Sequence, residues 1–350
     1  MPAPTPLDAL DIAIILPCYN EGLTIGDVVK RFRETLPGAR IFVFDNNSTD
    51  NTAIIARLAG ATVVRERRQG KGHVVRRMFA DIEADLYIMA DGDGTYAPED
   101  APQLIATLLS EQVDMVVGIR SGVKNDAGRT GHAFGNRIFN SLYQYIFGRD
   151  FTDILSGYRV FTRRFVKSFP AISHGFEIET EMSVHAGQLK LPVAEVELDY
   201  GRRPEGSDSK LSTFRDGLMI LMMFARLMKE TQPFRFFMII AGALFAASVF
   251  FMVPPIYEYL TTGLVNRVPT WIGAIGILTL SMLMLVTGLV LDSVAAGRVE
   301  QMRMAYLNQP PTRARMTPKG ATAKPRAKTA AGSKAASGGK RPTRKRKEPA

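Results

Sequence analysis

Between residues 12 and 120, short apolar runs rich in β-branched residues alternate with longer segments of helical periodicity. The runs IAIIL and IFVF are apolar at every position, which is typical of strands buried on both faces of a sheet. Pro98 stands at the start of one helical segment and Gly60 follows the last turn of another. This alternation predicts an α/β fold with a parallel sheet and helices on its faces. The predicted strands are 12–16, 40–44, 62–65, 86–90 and 115–119, and the predicted helices are 22–36, 51–60, 70–82 and 98–112.

The C-terminal third contains two long runs without a charged residue. Residues 236–257 form a run of 22 and residues 268–291 a run of 24. Each is long enough, as a helix, to cross a hydrocarbon core of roughly 30 Å. The short connection between them predicts a transmembrane hairpin with both ends on one side. Pro254-Pro255 predicts a kink or a stop near the outer end of the first helix.

The charges that flank the hairpin predict its orientation. Lys229 and Arg235 precede the first run, and Arg298 and Arg303 follow the second. Positively charged flanks stay on the cytoplasmic side. We therefore expect a multi-pass protein of the cytoplasmic (inner) membrane, with the sheet domain and both termini in the cytoplasm.

The net charge of +10 comes from one end of the chain. Residues 312–350 hold thirteen Lys and Arg and one acid, Glu348, so residues 1–311 sum to −2. The charge therefore suits a disordered tail that binds membrane lipids, and a nucleic-acid partner is not expected. The single cysteine, Cys18, excludes an intramolecular disulfide and hence a disulfide-stapled secreted fold.

These patterns divide the chain into five segments. They are a flexible N-terminus, a sheet domain, an amphipathic juxtamembrane segment, the hairpin and a largely disordered basic tail, at residues 1–10, 11–210, 211–233, 234–292 and 293–350. Within the sheet domain, residues 129–203 are predicted as mixed helix and loop, with one strand at 193–200.

Acidic loops follow three of the predicted strands. The first strand runs into PCYNE, the second into DNNSTD and the fourth into DGDG. Because ligands bind outside the carboxyl ends of the strands in such sheets, we expect these loops to form one site. Asp91 and Asp93 flank a glycine and supply hard oxygen ligands, which predicts Mg²⁺ or Mn²⁺ bridging a diphosphate. The four histidines lack metal-ligand spacing, and no zinc site is expected.

With three further motifs, these loops make the chain resemble a family 2 glycosyltransferase with the nucleotide-sugar-binding GT-A fold. The motifs are GKG at 70–72, DILSGYR at 153–159, and YGRRPEGS at 200–207 with SKL at 209–211. The resemblance covers about residues 12–291. Within the family, the chain most resembles the polyprenyl-phosphate glycosyltransferases, the group of dolichyl-phosphate mannose synthase and its bacterial relatives with two C-terminal membrane spans. It implies an inverting enzyme that moves a sugar from a GDP- or UDP-sugar to a polyprenyl phosphate, and it suggests assembly into homo-oligomers.

The resemblance also implies roles for the first two loops. Pro17, Tyr19 and Glu21 would border the base and ribose of the nucleotide sugar. Asp45 would hydrogen-bond the edge of the base. Structural roles are the alternative for this region: Pro17 would end a strand, and Asn20 and Asp50 would cap helices, as their residue types favour.

The remaining donor-side residues surround the diphosphate. By resemblance, Asp91 would bind ribose or metal and Asp93 the metal. Thr95 stands where the mannose synthases often have a glutamine that adds a metal ligand. Lys71 lies at the very start of the helix predicted at 70–82, where it would contact a phosphate or remain a solvated surface lysine.

A phosphate acceptor calls for charge neutralisation and in-line positioning rather than a strong base, because its oxygen is already anionic near neutral pH. Arginine suits this task through bidentate contacts. The candidate arginines are Arg120, Arg129, Arg137, Arg159, Arg202 and Arg203. By resemblance, the lipid phosphate would be bound by Arg120, Arg137 and Ser141. These three residues and Asp93 are the candidate catalytic residues. By the same resemblance, a mobile loop that closes over the donor diphosphate would carry Arg202 or Arg203, together with Lys210. Surface ion pairs are the alternative, with Asp153 as a possible partner of Arg159.

Three other functions remain to be weighed. A transferase with a hydroxyl-bearing lipid acceptor would need a base, for which Glu179 or Glu181 is the candidate. A processive polysaccharide synthase is disfavoured, because those enzymes carry a Q-x-x-R-W motif and the one tryptophan, Trp271, lies in the second apolar run. A membrane-tethered nucleic-acid binder would rest on the basic tail alone.

Overall fold

A seven-stranded sheet with helices on both faces forms the first part of the structure, a computed structural model that describes residues 10–121, 151–173, 178–199 and 225–312. The strands are β1 Ile12–Cys18, β2 Arg40–Asp45, β3 Thr62–Arg65, β4 Leu86–Met89, β5 Met115–Ser121, β6 Arg159–Thr162 and β7 Val193–Asp199. The helices around it are α1 Ile25–Thr35, α2 Thr52–Leu58, α3 Lys71–Asp81, α4 Ala101–Glu111, α5 Arg163–Ser168 and α6 Ile178–Leu189. The predicted α/β class is confirmed.

The order of the strands across the sheet is β3-β2-β1-β4-β6-β5-β7. The pairs of β1 with β2 and β4, of β2 with β3 and of β5 with β7 are parallel. β6 pairs antiparallel with both β4 and β5, so the sheet is mixed. The five strands predicted within 12–120 run parallel to one another, whereas β6 lies in the block predicted as mixed helix and loop and was not predicted. β6 is only four residues long and gives no periodic signal; its neighbours on both sides supply its hydrogen bonds.

Two apolar layers enclose the sheet, and β1 contributes to both. Ile12, Ile14 and Leu16 face α1, α2 and α4, whereas Ala13 and Ile15 face α3, α5 and α6. All seven residues of β1 are buried, as the continuous apolar run predicts. Burial on both faces therefore holds β1 in place, and the first acidic loop begins where this strand ends.

Two long helices follow the sheet: α7, Pro233–Thr262, and α8, Val268–Leu307. Both are long and apolar enough to cross a membrane, and most of their apolar surface is not covered by other parts of the described chain. From Ala241 on α7 and from Ala274 on α8, the buried residues recur every seven positions, the period of close helix packing. These residues are Ala241, Ser248 and Pro255 on α7 and Ala274, Ser281, Gly288 and Ala295 on α8.

The hydroxyls of two serines join the helices across this seam. Ser248 donates to the carbonyl oxygen of Ala274 and Ser281 to that of Ala241, each at 2.8 Å. Small residues and interhelical hydrogen bonds are the usual means of association between apolar helices in a membrane. The hairpin is thus a specifically packed unit.

The structure revises three expectations about the hairpin. α7 does not stop at Pro254-Pro255 but continues to Thr262, with Pro255 at a buried position. The connection is accordingly shorter than predicted, at residues 263–267. Of the juxtamembrane segment, residues 225–231 are helical and residues 211–224 lie outside the described part.

The third revision concerns the end of α8, which continues to Leu307 and passes the boundary predicted at 292. The Tyr306 hydroxyl donates to Asp114 Oδ2 at 2.8 Å, just before β5. Arg164, on α5, lies over the Tyr306 ring at 5.4 Å and donates to the carbonyl oxygen of Gln309 at 3.0 Å. The segment after the second apolar run therefore docks on the sheet domain; residues 313–350 lie outside the described part.

Candidate active site

The carboxyl ends of β1, β2 and β4 meet at one edge of the sheet. Cys18, the last residue of β1, pairs in register with Asp45, the last of β2. Burial raises the pKa of the Cys18 thiol, and four nearby carboxylates raise it further. They are Glu21, Asp91, Asp45 and Asp93. The structure therefore brings together the four predicted acids from three separate loops, which we call the active edge.

Pro17 and Tyr19 flank Cys18 at this edge. Pro17 is buried and pairs with Phe44, so it lies within β1 and does not end the strand. Tyr19 is 40% exposed. Glu21 is half-buried, and its carbonyl oxygen accepts the amide hydrogens of Thr24 and Ile25 at the start of α1. The predicted contacts of these residues with a nucleotide stay predictions.

Asn20 and Asp50 tie the first two loops to each other. Asn20 Oδ1 accepts from the Thr49 amide at 2.8 Å, and Asp50 Oδ2 accepts from the Gly22 amide at 2.9 Å. Asp50 Oδ1 also accepts the Thr52 amide at 3.0 Å at the start of α2. Both residues therefore hold the loops together, but neither occupies a helix N-cap as the alternative interpretation proposed, since the N-caps of α1 and α2 are Thr24 and Asn51.

Thr95 orients Asp93. Its hydroxyl and its amide both donate to Asp93 Oδ1, at 2.6 and 3.1 Å, and its side chain is buried. A threonine here consequently fixes the direction of the predicted metal ligand from within the loop.

Lys71, the first residue of α3, forms ion pairs with two carboxylates, Asp91 Oδ1 and Glu179 Oε1. The Glu179 contact measures 2.5 Å, and the Lys71 side chain is only 9% exposed. Burial alone would lower the pKa of Lys71, but the two carboxylates more than offset it and raise the pKa well above its ordinary value. Lys71 is therefore a protonated, buried member of the active edge, and its interpretation as a solvated surface lysine is wrong.

Asn46 places the loop that carries Lys71. Its amide nitrogen donates to the carbonyl oxygen of Arg68 at 2.7 Å, and its amide oxygen accepts from Gly70 at 2.8 Å. The side chain is buried, so these bonds fix the approach to α3 firmly. Our sequence interpretation assigned Asn46 no role; an amide directly after a strand, able both to donate and to accept, was the available signal.

The two candidate bases on α6 occupy different environments. Glu179 is buried beside Lys71, and burial raises the pKa of Glu179 while Lys71 acts against that rise. Its Oε2 has no hydrogen-bond partner within the described residues. Glu181 instead accepts the amide hydrogens of Ile172 and Ser173, each at 2.7 Å. Both oxygens of Glu181 thus hold a loop, which favours Glu179 over Glu181 as the candidate base.

The two candidate arginines within the described residues also occupy different environments. Arg120 makes a bidentate contact with Asp153 through Nε and Nη2, at 2.7 and 2.8 Å. Arg159 is fully buried and donates to the carbonyl oxygens of Ser156 and Ile154. Arg159 is therefore a structural residue inside the sheet domain, and the suggested pairing of Asp153 with Arg159 is wrong.

The other predicted acceptor-side and loop residues lie outside the described part of the chain. They are Arg129, Arg137, Ser141, Arg202, Arg203 and Lys210. Their roles stay predictions.

Asp91 and Asp93 suit a divalent cation by the chemistry of their oxygens. Both are half-buried carboxylates beside two further acids, so the surroundings favour positive charge. No group of three or more His, Cys, Asp or Glu side chains arranged as metal ligands occurs in the described residues. A cation held here would thus draw on Asp91 and Asp93 from the protein.

Comparisons with known proteins agree on the enzyme class. A sequence model described as glycosyl transferase family 2 matches residues 13–169. The chain is 36% identical over 302 residues to glycosyltransferase AglJ of Haloferax volcanii, covering 86% of this chain and 98% of AglJ. It is 26% identical over 210 residues to dolichyl-phosphate hexose transferase of the same organism, covering 60% of this chain and 90% of that protein.

The fold has solved counterparts as well. A crystal structure of glucosyl-3-phosphoglycerate synthase from Mycobacterium tuberculosis, in complex with Mn²⁺, UDP and glucosyl-3-phosphoglycerate, matches with a TM-score of 0.52 and 24% identity. The match covers 63% of this chain and 79% of that one, and it shows a shared GT-A fold. Because AglJ is similar over nearly its whole length, the likeness extends past the sheet domain into the hairpin. The chain is a glycosyltransferase that belongs to glycosyl transferase family 2.

Proposed function

We propose that this glycosyltransferase moves a hexose from a GDP- or UDP-sugar to a polyprenyl phosphate at the cytoplasmic face of the membrane, with inversion at the anomeric carbon. The observation that carries the proposal is the combination of an acidic active edge with a docked apolar hairpin in one chain. The relative named dolichyl-phosphate hexose transferase supports the acceptor class.

The donor would lie along the active edge. Pro17, Tyr19 and Glu21 would border the base and ribose, and Asp45 would hydrogen-bond the edge of the base. Asp91 and Asp93 would hold Mg²⁺ or Mn²⁺. A bound cation would neutralise the diphosphate and so stabilise it as a leaving group. The counterpart crystallised with Mn²⁺ and UDP supports such a donor complex.

The acceptor supplies its own nucleophile. A phosphate oxygen is anionic near neutral pH, so the protein needs to hold it in line with the leaving group and balance its charge. Arg120 is a suitable anchor because Asp153 fixes its guanidinium plane. Arg137 and Ser141 would complete the phosphate site.

The proposal is tested with purified full-length protein, a panel of UDP- and GDP-sugars, Mg²⁺ or Mn²⁺, and undecaprenyl or dolichyl phosphate. We expect one donor to yield a chloroform-soluble glycolipid and free nucleotide diphosphate. Asp93→Asn should lower the rate by about a hundredfold or more, as expected for loss of electrostatic stabilisation. Failure of every donor to label the lipid phosphate would contradict the proposal.

A second acceptor class is supported by one observation. The Glu179 carboxylate is buried beside Lys71, and its Oε2 lacks a hydrogen-bond partner within the described residues, so this oxygen could accept a proton. If the acceptor is a hydroxyl-bearing lipid, Arg137→Ala should retain activity and Glu179→Gln should lose it. For a lipid phosphate, Arg137→Ala should be the more damaging change.

A further inference from the structure

Lys71 is shared between two carboxylates that come from different parts of the fold. Asp91 follows β4, whereas Glu179 lies in the first turn of α6. The side chains of Lys71 and Glu179 are 9% and 5% exposed, and that of Asp91 is 27% exposed. Asp91 is therefore the member of this triad that faces an incoming ligand, with Lys71 and Glu179 behind it.

The sharing determines how much negative charge Asp91 presents. Two carboxylates and one ammonium carry a net charge of −1, and the buried pair is poorly screened by solvent. Without the charge of Glu179, the whole charge of the Lys71 ammonium would act on Asp91 and neutralise it. Glu179 therefore keeps the Asp91 end of the triad attractive to a cation.

We propose that Glu179 is a positioning residue which, by holding Lys71, sets the divalent-cation affinity of Asp91. This inference rests on the cation site of the proposed function, and it concerns binding before any transfer step. It differs from a role for Glu179 as base, since a base acts on the rate of transfer and not on cation affinity.

The test measures Mn²⁺ binding directly on full-length protein in detergent, from the electron paramagnetic resonance signal of free Mn²⁺, with UDP and in parallel with GDP. Glu179→Gln should weaken Mn²⁺ binding about tenfold, the effect of one nearby charge at a moderate effective dielectric constant. Glu179→Asp, which keeps the charge, should restore most of the affinity. Lys71→Met should tighten binding, because it removes the competing cation.

Glu83→Gln is the matched control. Glu83 also pairs with a lysine, Lys167, at 2.9 Å, but it precedes β4 at the opposite edge of the sheet and is 58% exposed. This variant should bind Mn²⁺ as the wild type does. Circular dichroism of each variant verifies folding, and Lys71→Arg replaces Lys71→Met if the latter does not fold, with wild-type affinity expected.

The outcomes separate this inference from the proposed function. If Asp91→Asn abolishes Mn²⁺ binding while Glu179→Gln leaves it unchanged, the inference is wrong and the cation site stands. If Asp91→Asn leaves Mn²⁺ binding unchanged, the inference and the role of Asp91 as a cation ligand are both wrong, while the glycolipid assay still decides the proposed function. Weaker binding in Glu179→Gln, with recovery in Glu179→Asp, would support both.

Discussion

At the scale of single residues, Asp91 is confined from two directions. Lys71 pairs with its Oδ1, and Gly157 lies against its Oδ2, so closely that a Cβ at position 157 would come within 2.5 Å of that oxygen. The Gly157 amide also donates to the Tyr96 hydroxyl at 3.0 Å, which fixes the backbone there. The absence of a side chain at position 157 is therefore a condition for the observed position of Asp91.

Gly157→Ala should displace the Asp91 carboxylate and lower kcat/KM for the donor sugar by about tenfold or more, equivalent to roughly 1.4 kcal/mol of transition-state stabilisation. Steady-state kinetics with the donor varied measures the effect. Gly187→Ala is the matched control, because nothing lies within 4 Å of a Cβ at that position of α6. It should keep full activity and gain about 0.5–1 kcal/mol in stability. Equal activity of the two variants would contradict this account.

His185 should make stability depend on pH. Burial lowers the pKa of His185 from 6.5 to about 4, and its Nε2 lies 2.9 Å from the Ser168 hydroxyl oxygen. The unfolded chain binds the proton at higher pH than the folded protein does. Stability from this group is therefore complete above pH 6.5 and declines as pH falls toward 4, by up to about 3 kcal/mol.

The measurement is thermal unfolding of the wild type and of His185→Gln at pH 7 and at pH 5. The wild type should lose more stability between the two pH values than the variant does. His73→Gln, at a half-buried position, is the control and should retain the wild-type difference. The same loss in His185→Gln and in the wild type would refute the assignment.

At the scale of elements, the hairpin depends on small residues in its seam. A Cβ at Gly288 would meet the Cβ of Phe237 at 2.9 Å, so α7 and α8 approach each other closely at this point. Buried positions spaced by seven residues continue that contact along both helices. The packing, rather than the apolar character alone, defines the hairpin.

Gly288→Leu should separate the two helices and lower the unfolding temperature of the full-length protein in detergent, at a cost of about 1–3 kcal/mol for overpacking. Gly276→Leu is the control, because position 276 of α8 is open and a Cβ there has nothing within 4 Å. The unfolding temperature of the control should match the wild type. If apolar character alone held the hairpin together, the two variants would have the same unfolding temperature.

At the scale of the whole molecule, the end of α8 connects the hairpin to the catalytic domain. Asp114 is fully buried and accepts from two hydroxyls, Thr162 through Oδ1 and Tyr306 through Oδ2, each at 2.8 Å. The first bond lies within the sheet domain and the second crosses to α8. This arrangement fixes the sheet domain beside the apolar helices, where a lipid-linked acceptor would be met.

Tyr306→Phe should loosen this docking by about 1.5–3 kcal/mol, because it removes a hydrogen bond to a buried carboxylate. Hydrogen-deuterium exchange of residues 300–312 should become faster, while exchange in β1 stays slow. Tyr259→Phe, which alters an exposed tyrosine on α7, should leave exchange at 300–312 unchanged. Unaltered exchange in Tyr306→Phe would show that the hydroxyl does not hold α8 in place.

Patterns within short stretches of the chain were sufficient for much of the fold. The strand at 62–65 matches β3, and the other predicted strands of the first 120 residues end within two residues of those observed. The two apolar runs lie inside α7 and α8. These elements are predictable because burial imposes its own period on the sequence of each strand and helix, whatever lies elsewhere in the chain.

The sequence by itself also determined the family and the acids of the active edge, since strand-end loops share one edge in any sheet of this kind. Only the tertiary structure decided that Lys71 is buried between Asp91 and Glu179, that Arg159 is structural, that β6 runs antiparallel and that α8 docks through Tyr306. The physical reason is the range of the interactions. Periodicity is a local property, whereas the burial and charge state of a polar side chain depend on partners that only folding brings within a few ångströms.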